Sequence, residues 1–173
     1  IGPYSPDLQG NTHALVMIDD HTRKSWFEPR PDVTSATTVK LMQDIFRRKQ
    51  PEIDRTDGGP EFQDEFKRYL REQKTEHEKS RPHEPQTNAR IESHNGNLIR
   101  GIASYLARAK APGTWSGLAG HSWNFDWNHM RTGVDGKTPF EREHGIKWHG
   151  NPIPFGAKII YRDPNPDHRK RDK

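Results

Sequence analysis

The stretch 57–95 constrains this chain more than any other feature, because it carries a polar motif at each end, DGGPEF and PHEPQTNARIESHN. Asp57 directly follows a predicted strand, and Glu92 lies on the first turn of a predicted helix, with another helix between them. A fold can bring two such carboxylates together from distant positions. In a basic chain without cysteine, this pair indicates a Mg²⁺ site that acts on phosphates.

The composition favours a single domain with a limited supply of core residues. Of the 173 residues, 29% are hydrophobic and 30% are charged, so either the core is thin or a partner supplies part of the buried surface. The net charge of +4 and the pI of about 9.4 fit a polyanionic partner. The absence of cysteine excludes disulfides and thiolate zinc sites, and no apolar run is long enough to predict a membrane helix.

Hydrophobic spacing and turn residues predict alternating strands and helices. A hairpin is predicted from strands 14–18 and 24–28, with Asp19 and Asp20 in its turn. Helices are predicted over 36–48, 61–73 and 88–110, and a further helix is expected to carry Trp115, Trp123 and Trp127. Strands are predicted over 52–56 and 157–161, and the first of these is expected to lie parallel in the same sheet as the hairpin.

The two motifs resemble the catalytic core of retroelement integrases, which belong to the DDE group with an RNase H-like fold. The matching residues are Thr56, Asp57, Gly59, Glu61 and Phe62 in the first motif, and Pro82, Pro85, Gln86, Asn88, Glu92 and Asn95 in the second. The sequences IDDHTRKSW at 18–26, GKTPFE at 136–141 and PFGAKIIY at 154–161 narrow the resemblance to the Ty1/copia-like branch. Together these stretches cover most of the chain.

The resemblance implies an α/β fold of the RNase H-like class, with a mixed sheet flanked by helices, and a division of the chain into three parts. Residues 1–150 correspond to the integrase core, 151–162 to a C-terminal extension with a short strand, and 163–173 to a basic flexible tail. The stretch 74–80 stands where the family has a short apolar strand. It is almost wholly polar, and the sequence alone offers no physical reason for that.

The first acid of the family is expected outside the chain as given. In the family that aspartate lies on the first, central strand, shortly before a Gly-Pro pair. Gly2 and Pro3 match the pair, which would place the aspartate immediately upstream of Ile1. We therefore expect an N-terminally incomplete core that lacks its central strand and is inactive as given. Asp19 and Asp20 are the alternative metal ligands, although they match non-catalytic acids of the copia-like hairpin.

The resemblance assigns catalytic and metal-binding roles to Asp57 and Glu92. The implied reaction is DNA strand transfer by two-metal phosphoryl transfer, with two Mg²⁺ ions in a complete family member. Two carboxylates are not expected to bind both ions tightly. The alternative is that both are ordinary surface acids at helix starts.

The helix that begins near Asn88 is implied to face DNA. The side chains implied to contact nucleic acid are Asn88, Arg90, Asn95, Arg100, Arg108 and Lys110. The alternative for the basic side chains is a solvated helix face. Trp123 and Trp127, four residues apart, are expected to pack against the sheet rather than to stack on bases.

Two functions from different classes follow. The first is a retrotransposon integrase, a segment of a Pol polyprotein that acts on DNA in the nucleus. The second is a domesticated, non-catalytic module that binds DNA or RNA as an architectural subunit of a larger ribonucleoprotein or organellar complex. Both imply protein partners or a homo-oligomer, and neither involves a membrane segment.

Overall fold

The computed structural model describes residues 1–47, 50–79 and 85–160, except for the side chains of 85–88. In the described residues, two strands are followed by a helix, strand–helix–strand, and then three helices, with short 3₁₀ turns at Pro60–Phe62 and Gly113–Trp115. The strands are β1 (His13–Ile18), β2 (Ser25–Arg30), β3 (Ile53–Thr56) and β4 (Glu76–Lys79). The helices are α1 (Ser35–Ile45), α2 (Asp64–Glu72), α3 (Pro85–Ala109), α4 (Ser116–His129) and α5 (Pro139–His144).

The predicted hairpin is confirmed as the antiparallel pair β1 and β2, in which His13 lies opposite Arg30 and Ile18 opposite Ser25. Its turn is held by Asp19, whose Oδ2 accepts hydrogen bonds from the Thr22 N–H at 2.8 Å and from the Thr22 hydroxyl at 2.5 Å. This local side-chain-to-backbone bonding is the usual role of aspartate at a turn.

Strand β3 forms a separate sheet with β4, in parallel, with Ile53 opposite Glu76 and Thr56 opposite Lys79. The prediction that β3 shares a sheet with the hairpin is therefore wrong for the described residues. On the edge of β1 that faces away from β2, the Ala14 N–H donates to the Ile1 carbonyl at 2.9 Å, so that position is already paired.

Cross-strand polar pairs explain why the stretch 74–80 is polar and yet contains a strand. The side chain of Arg55 on β3 donates from Nε and Nη2 to Glu78 on β4, at 2.9 and 2.6 Å. On the other face, a 2.8 Å hydrogen bond joins the Thr56 hydroxyl to His77, whose ring packs edge-on against Phe66. Such pairs stabilise a sheet without an apolar alternation.

Among the described residues, two small clusters form the core, which agrees with the low apolar content. One lies between α1 and α2 and contains Val39, Met42, Phe66, Tyr69 and Leu70. The other joins the hairpin to α3 and contains Ala14, Phe27 and Leu98. Helix α1 begins after Thr34, whose hydroxyl accepts a hydrogen bond from the Thr37 N–H. None of the described helices combines the length and the hydrophobicity needed to cross a membrane.

The contact between α3 and α4 depends on a glycine, and it makes a testable prediction. A Cβ at Gly101 would overlap the indole ring of Trp123, whereas the nearest neighbour of a Cβ at Gly96 is the flexible Arg100 guanidinium at 3.4 Å. Gly101→Ala is therefore expected to lower the free energy of unfolding by about 1–3 kcal/mol. Gly96→Ala, the matched control in the same helix, is expected to raise it by about 0.5–1 kcal/mol. Chemical denaturation measures both, and effects of the same sign would contradict this packing.

The strand predicted over 157–161 is absent from the described residues 157–160. Gly156 adopts a left-handed φ of +78° and the Ala157 N–H donates to the Pro154 carbonyl at 3.0 Å, which makes a turn directly before this segment. Residues 157–160 are exposed and pair with none of the described strands. Phe155 in this turn stacks on Tyr105 of α3 with a ring separation of 6.1 Å. The tail predicted over 163–173 lies outside the described residues.

Candidate functional site

Asp57 leaves the end of β3 with its carboxylate exposed to solvent. Its Oδ1 accepts a hydrogen bond from the Gly59 N–H at 2.9 Å, which fixes the turn that follows the strand. A Cβ at Gly59 would lie 3.0 Å from that oxygen and 2.5 Å from Oε2 of Glu61. A side chain at position 59 would therefore displace the Glu61 carboxylate from its present position.

The helix predicted over 61–73 is divided at Gln63 by the structure. Gln63 is extended, with φ −103° and ψ −172°, between the 3₁₀ turn Pro60–Phe62 and α2. Its side-chain amide donates to the carbonyls of Gly58 and Gly59, at 3.3 and 3.2 Å. These hydrogen bonds hold the loop after Asp57, and they are the physical reason why a continuous helix does not form.

A buried arginine supports this loop, and the sequence did not point to it. Arg30 at the end of β2 is 2% exposed, and its Nη2 lies 3.7 Å from Oε1 of Glu61. Its Nη1 donates to the Thr38 hydroxyl at 2.6 Å. Burial lowers the pKa of Arg30, and Glu61 opposes that effect. Glu61, which matches the family motif, therefore serves as the counter-ion that ties the Asp57 loop to the core.

Glu92 is exposed on α3, but not on the first turn of that helix as predicted. The helix begins at Pro85, so Glu92 lies in its third turn. The influence of a helix N-terminus falls off within the first turn, so it does not help to keep Glu92 ionised. The inward-facing residues of this part of α3 are His94 and Leu98. They are spaced four apart and point away from Glu92.

Asp20 connects the elements that carry the two candidate acids. Its carboxylate lies 3.7 Å from Nη1 of Arg55 on β3 and also contacts Arg90 on α3. These arginines precede Asp57 and Glu92 by two residues each. The end of β3 and the first turns of α3 therefore meet at the hairpin. Asp19 holds the hairpin turn and Asp20 pairs with arginines, so the structure gives both a structural role in place of the alternative metal-binding one.

The other residues predicted to contact nucleic acid are spread along α3. Arg100 is exposed and donates to Asn97 at 3.0 Å, and Lys110 is exposed beyond the end of the helix. Arg108 lines a small cavity of about 140 Å³ with Tyr105 and Asp126, about 27 Å along the helix from Arg90. Asn95 is half-buried, and the side chain of Asn88 lies outside the described residues. Of the described set, Arg90 reaches the region of Asp57 and Glu92.

A buried histidine next to this region had no predicted role. His94 is 2% exposed, and its Nε2 shares a 2.7 Å hydrogen bond with the Ser25 hydroxyl. Its ring meets Trp127 edge-on at 4.4 Å, and Trp127 stacks on Trp123 at 5.3 Å. The Trp127 indole N–H donates to the Arg23 carbonyl at 2.9 Å. Both tryptophans are half-buried, and Trp123 packs against the cluster that contains Ala14 and Phe27 of the hairpin, which is the packing against the sheet that the sequence predicts for it.

Stability is expected to depend on pH through His94. Burial, and then Arg131, lower the pKa of His94 to about 4. The unfolded chain therefore binds a proton to this ring at higher pH than the folded chain does. The contribution of His94 is present above pH about 6.5 and is lost as the pH falls towards 4, by about 2–3 kcal/mol.

The measurement for His94 is the free energy of urea unfolding across that pH range, for the wild type and for His94→Gln. Asp54, whose pKa is raised to about 6 by burial, acts in the opposite direction in both proteins. The difference between the two proteins isolates the histidine. A difference that does not change with pH would contradict a neutral, buried His94.

The donor groups of the site fit a magnesium ion in part. Asp57 and Glu92 offer carboxylate oxygens, which Mg²⁺ prefers, and both are exposed. Within residues 1–47, 50–79 and 85–160, no group of three His, Asp or Glu side chains is arranged to hold a metal ion. Within the described part of the chain, the two acids therefore stand as open carboxylates and not as parts of a closed protein cage.

No family model matches the chain. Among curated proteins, it is 25% identical over 160 residues to the Pro-Pol polyprotein of feline foamy virus, covering 86% of this chain and 14% of the polyprotein. It is 26% identical over 152 residues to the Pro-Pol polyprotein of simian foamy virus type 1, covering 81% of this chain and 13% of that protein. The chain thus spans only a small part of these relatives.

Solved structures share the fold at low sequence identity. The HTLV-2 integrase catalytic core domain in complex with magnesium aligns with a TM-score of 0.63 at 20% identity, covering 76% of this chain and 84% of that one. The BIV integrase catalytic core domain aligns with a TM-score of 0.62 at 19% identity, covering 76% and 88%. A simian T-cell lymphotropic virus intasome in complex with PP2A regulatory subunit B56 gamma aligns with a TM-score of 0.66 at 20% identity, covering 86% and 52%.

These likenesses confirm the predicted fold class, the RNase H-like α/β fold of integrase catalytic cores. The sequence relatives are retroviral Pro-Pol polyproteins. The assignment to the Ty1/copia-like branch, which the sequence motifs predict, stays a prediction.

Proposed function

We propose that this chain is the catalytic-core segment of a retroelement integrase of the Ty1/copia-like branch, whose parent protein joins DNA 3′ ends to a target phosphodiester. One observation carries the proposal. An integrase-core fold presents two exposed carboxylates, Asp57 after β3 and Glu92 on α3, in the region where Asp20 links the two elements. Both acids occupy positions that match the family's motifs.

Asp57 and Glu92 are the residues that would hold Mg²⁺. Magnesium commonly binds through one or two carboxylates and keeps several waters or takes phosphate oxygens as its other ligands. When bound, such an ion offsets the negative charge that develops on a reacting phosphate. The HTLV-2 core that shares this fold was solved in complex with magnesium, which supports the same ion for this chain.

The residues of the chain that bind and orient DNA are proposed to lie on α3. Arg90 stands two residues before Glu92, and Arg100 lies further along the same helix with its guanidinium exposed. Contacts from arginine to phosphate position a nucleic acid without reading its sequence. The HTLV-2 core was solved in dimeric and trimeric forms, and we propose a homo-oligomer here, with the nucleus as the site of action.

The test is an assay in which the protein that carries this chain joins a labelled DNA end to a second duplex in the presence of Mg²⁺. Joining that requires the metal supports the catalytic core. An integrase should also produce joints at many target positions, because phosphate contacts dominate the interaction. Glu92→Gln is the decisive variant.

The second candidate is a non-catalytic module that binds DNA or RNA in a larger complex. One observation favours it: among the described residues, no three His, Asp or Glu side chains lie close enough together to hold a metal ion. DNA or RNA binding that is equally tight with Mg²⁺ and with EDTA, in a preparation that joins no DNA, would support this candidate and contradict the first.

A further inference from the structure

Three arginines from three separate elements converge on the carboxylate of Asp20. Arg23 in the hairpin turn lies 3.6 Å from Oδ1, and Arg55 on β3 lies 3.7 Å from Oδ2. Arg90 on α3 donates to Oδ1. Because 70 residues of sequence separate Asp20 from Arg90, this arrangement is a product of the fold and not of local helix spacing.

The turn that carries Asp20 is held from both sides. Asp19 accepts hydrogen bonds from the Thr22 N–H and hydroxyl. The Arg142 guanidinium of α5 donates to the Thr22 carbonyl at 3.2 Å. The Trp127 indole fixes the next carbonyl, that of Arg23. Asp19 is used by these hydrogen bonds within the turn, whereas the neighbouring Asp20 contacts the arginines. The backbone of Asp20 is therefore held in place by the turn.

The cluster carries excess positive charge and is open to solvent. Asp20 is 58% exposed and Arg90 50% exposed at the side chain. The second carboxylate that contacts the group, Glu78, is bound to Arg55. Among the described residues, these three cations therefore contact two carboxylates directly. Exposed ion pairs contribute only about 0–1 kcal/mol each, so the oxygens of another anion, presented by a polyanion, can replace the Asp20 carboxylate at small cost.

We propose that Arg23, Arg55 and Arg90 form a binding site for a phosphate of a nucleic-acid backbone. The Asp20 carboxylate occupies this site when no nucleic acid is bound, and it competes with the phosphate for the three arginines. The proposal rests on the proposed function in that nucleic acid is the ligand. Arg55 and Arg90 lie on the two elements that carry the candidate metal ligands, two residues before Asp57 and before Glu92, so a phosphate held here lies between β3 and α3. Asp20 then weakens binding until the backbone phosphate displaces it.

The test is the affinity of the full chain for a short fluorescein-labelled DNA duplex, measured by anisotropy in EDTA over a series of salt concentrations. Asp20→Asn is expected to bind about threefold to tenfold more tightly, because one competing carboxylate is removed. Arg55→Gln and Arg90→Gln are each expected to weaken binding. Each should reduce the slope of log affinity against log salt by about one, the value for one lost phosphate contact.

Asp44→Asn and Arg47→Gln are matched controls, because Asp44 and Arg47 form an exposed ion pair elsewhere, at 2.6 Å. They repeat the charge changes without touching the cluster and are expected to leave the salt slope unchanged. Equal effects of Asp20→Asn and Asp44→Asn would overturn the proposal, as would unchanged slopes for the Arg55 and Arg90 variants. Since no metal is present, failure of strand transfer has no bearing on this result.

Discussion

Glu92→Gln is expected to reduce Mg²⁺-dependent DNA strand transfer by about a thousandfold or more, the equivalent of roughly 4 kcal/mol. The substitution keeps the size of the side chain and removes its charge. A neutral amide is a weaker ligand for Mg²⁺ than a carboxylate. Because Glu92 is exposed on α3, the fold should tolerate the change. Asp57→Asn is expected to have an effect of similar size, since the two acids are proposed to serve the same ion.

Glu72→Gln is the matched control for this experiment. Glu72 is an exposed acid at the end of α2 that lies 4.0 Å from Arg68. Its replacement removes the same charge at a distance from the site and is expected to leave strand transfer within about twofold, since surface changes of this kind are small. Strand transfer that survives Glu92→Gln, with an unchanged dependence on Mg²⁺, would contradict the assignment of this residue.

Leu98→Ala is expected to lower the free energy of unfolding by about 2–5 kcal/mol. Leu98 is fully buried and packs with Ala14 and Phe27, so its truncation leaves a cavity between α3 and the hairpin. This loss of unfolding free energy is large because Leu98 belongs to a cluster of only three buried hydrophobic residues among those described. Together with His94, this residue fixes which face of α3 turns inward, and therefore keeps Glu92 on the outside.

The neighbouring residue supplies the control for Leu98. Ile99 is 54% exposed, and Ile99→Ala is expected to change stability by less than about 0.5 kcal/mol. Denaturant unfolding of both variants at neutral pH makes the comparison. Equal losses for the two substitutions would mean that α3 is rotated about its axis, and the placement of Glu92 would then be wrong.

Local signals in the sequence predicted the elements that carry the site. The hairpin followed from two short apolar runs around Asp19 and Asp20, and α1 followed from the spacing of its hydrophobic residues. These features depend on neighbours a few residues apart, so a single sequence shows them. The position of Asp57 after a strand was predicted for the same reason. The start of α3 was placed three residues too late, because Pro85 begins a helix as readily as it ends one.

Contacts between distant residues could not be predicted in the same way. The pairs of Arg55 with Glu78 and of Thr56 with His77 depend on the register of β3 and β4, which a polar strand does not reveal. Asp20 matched a family motif, but its arginine partners lie on other elements. The strand predicted over 157–161 followed an apolar run, but the described residues 157–160 are exposed after a turn at Gly156 and pair with none of the described strands.

The central claim is that Asp57 and Glu92 hold one divalent ion in common. Paramagnetic broadening by Mn²⁺, added below one equivalent to the isotope-labelled chain, tests it most directly. We expect the amide signals around Asp57 and around Glu92 to broaden together, at the same Mn²⁺ concentration, and Glu92→Gln to weaken the broadening at both places. Broadening at only one of the two acids, or broadening at Asp57 that Glu92→Gln leaves unchanged, would contradict the claim.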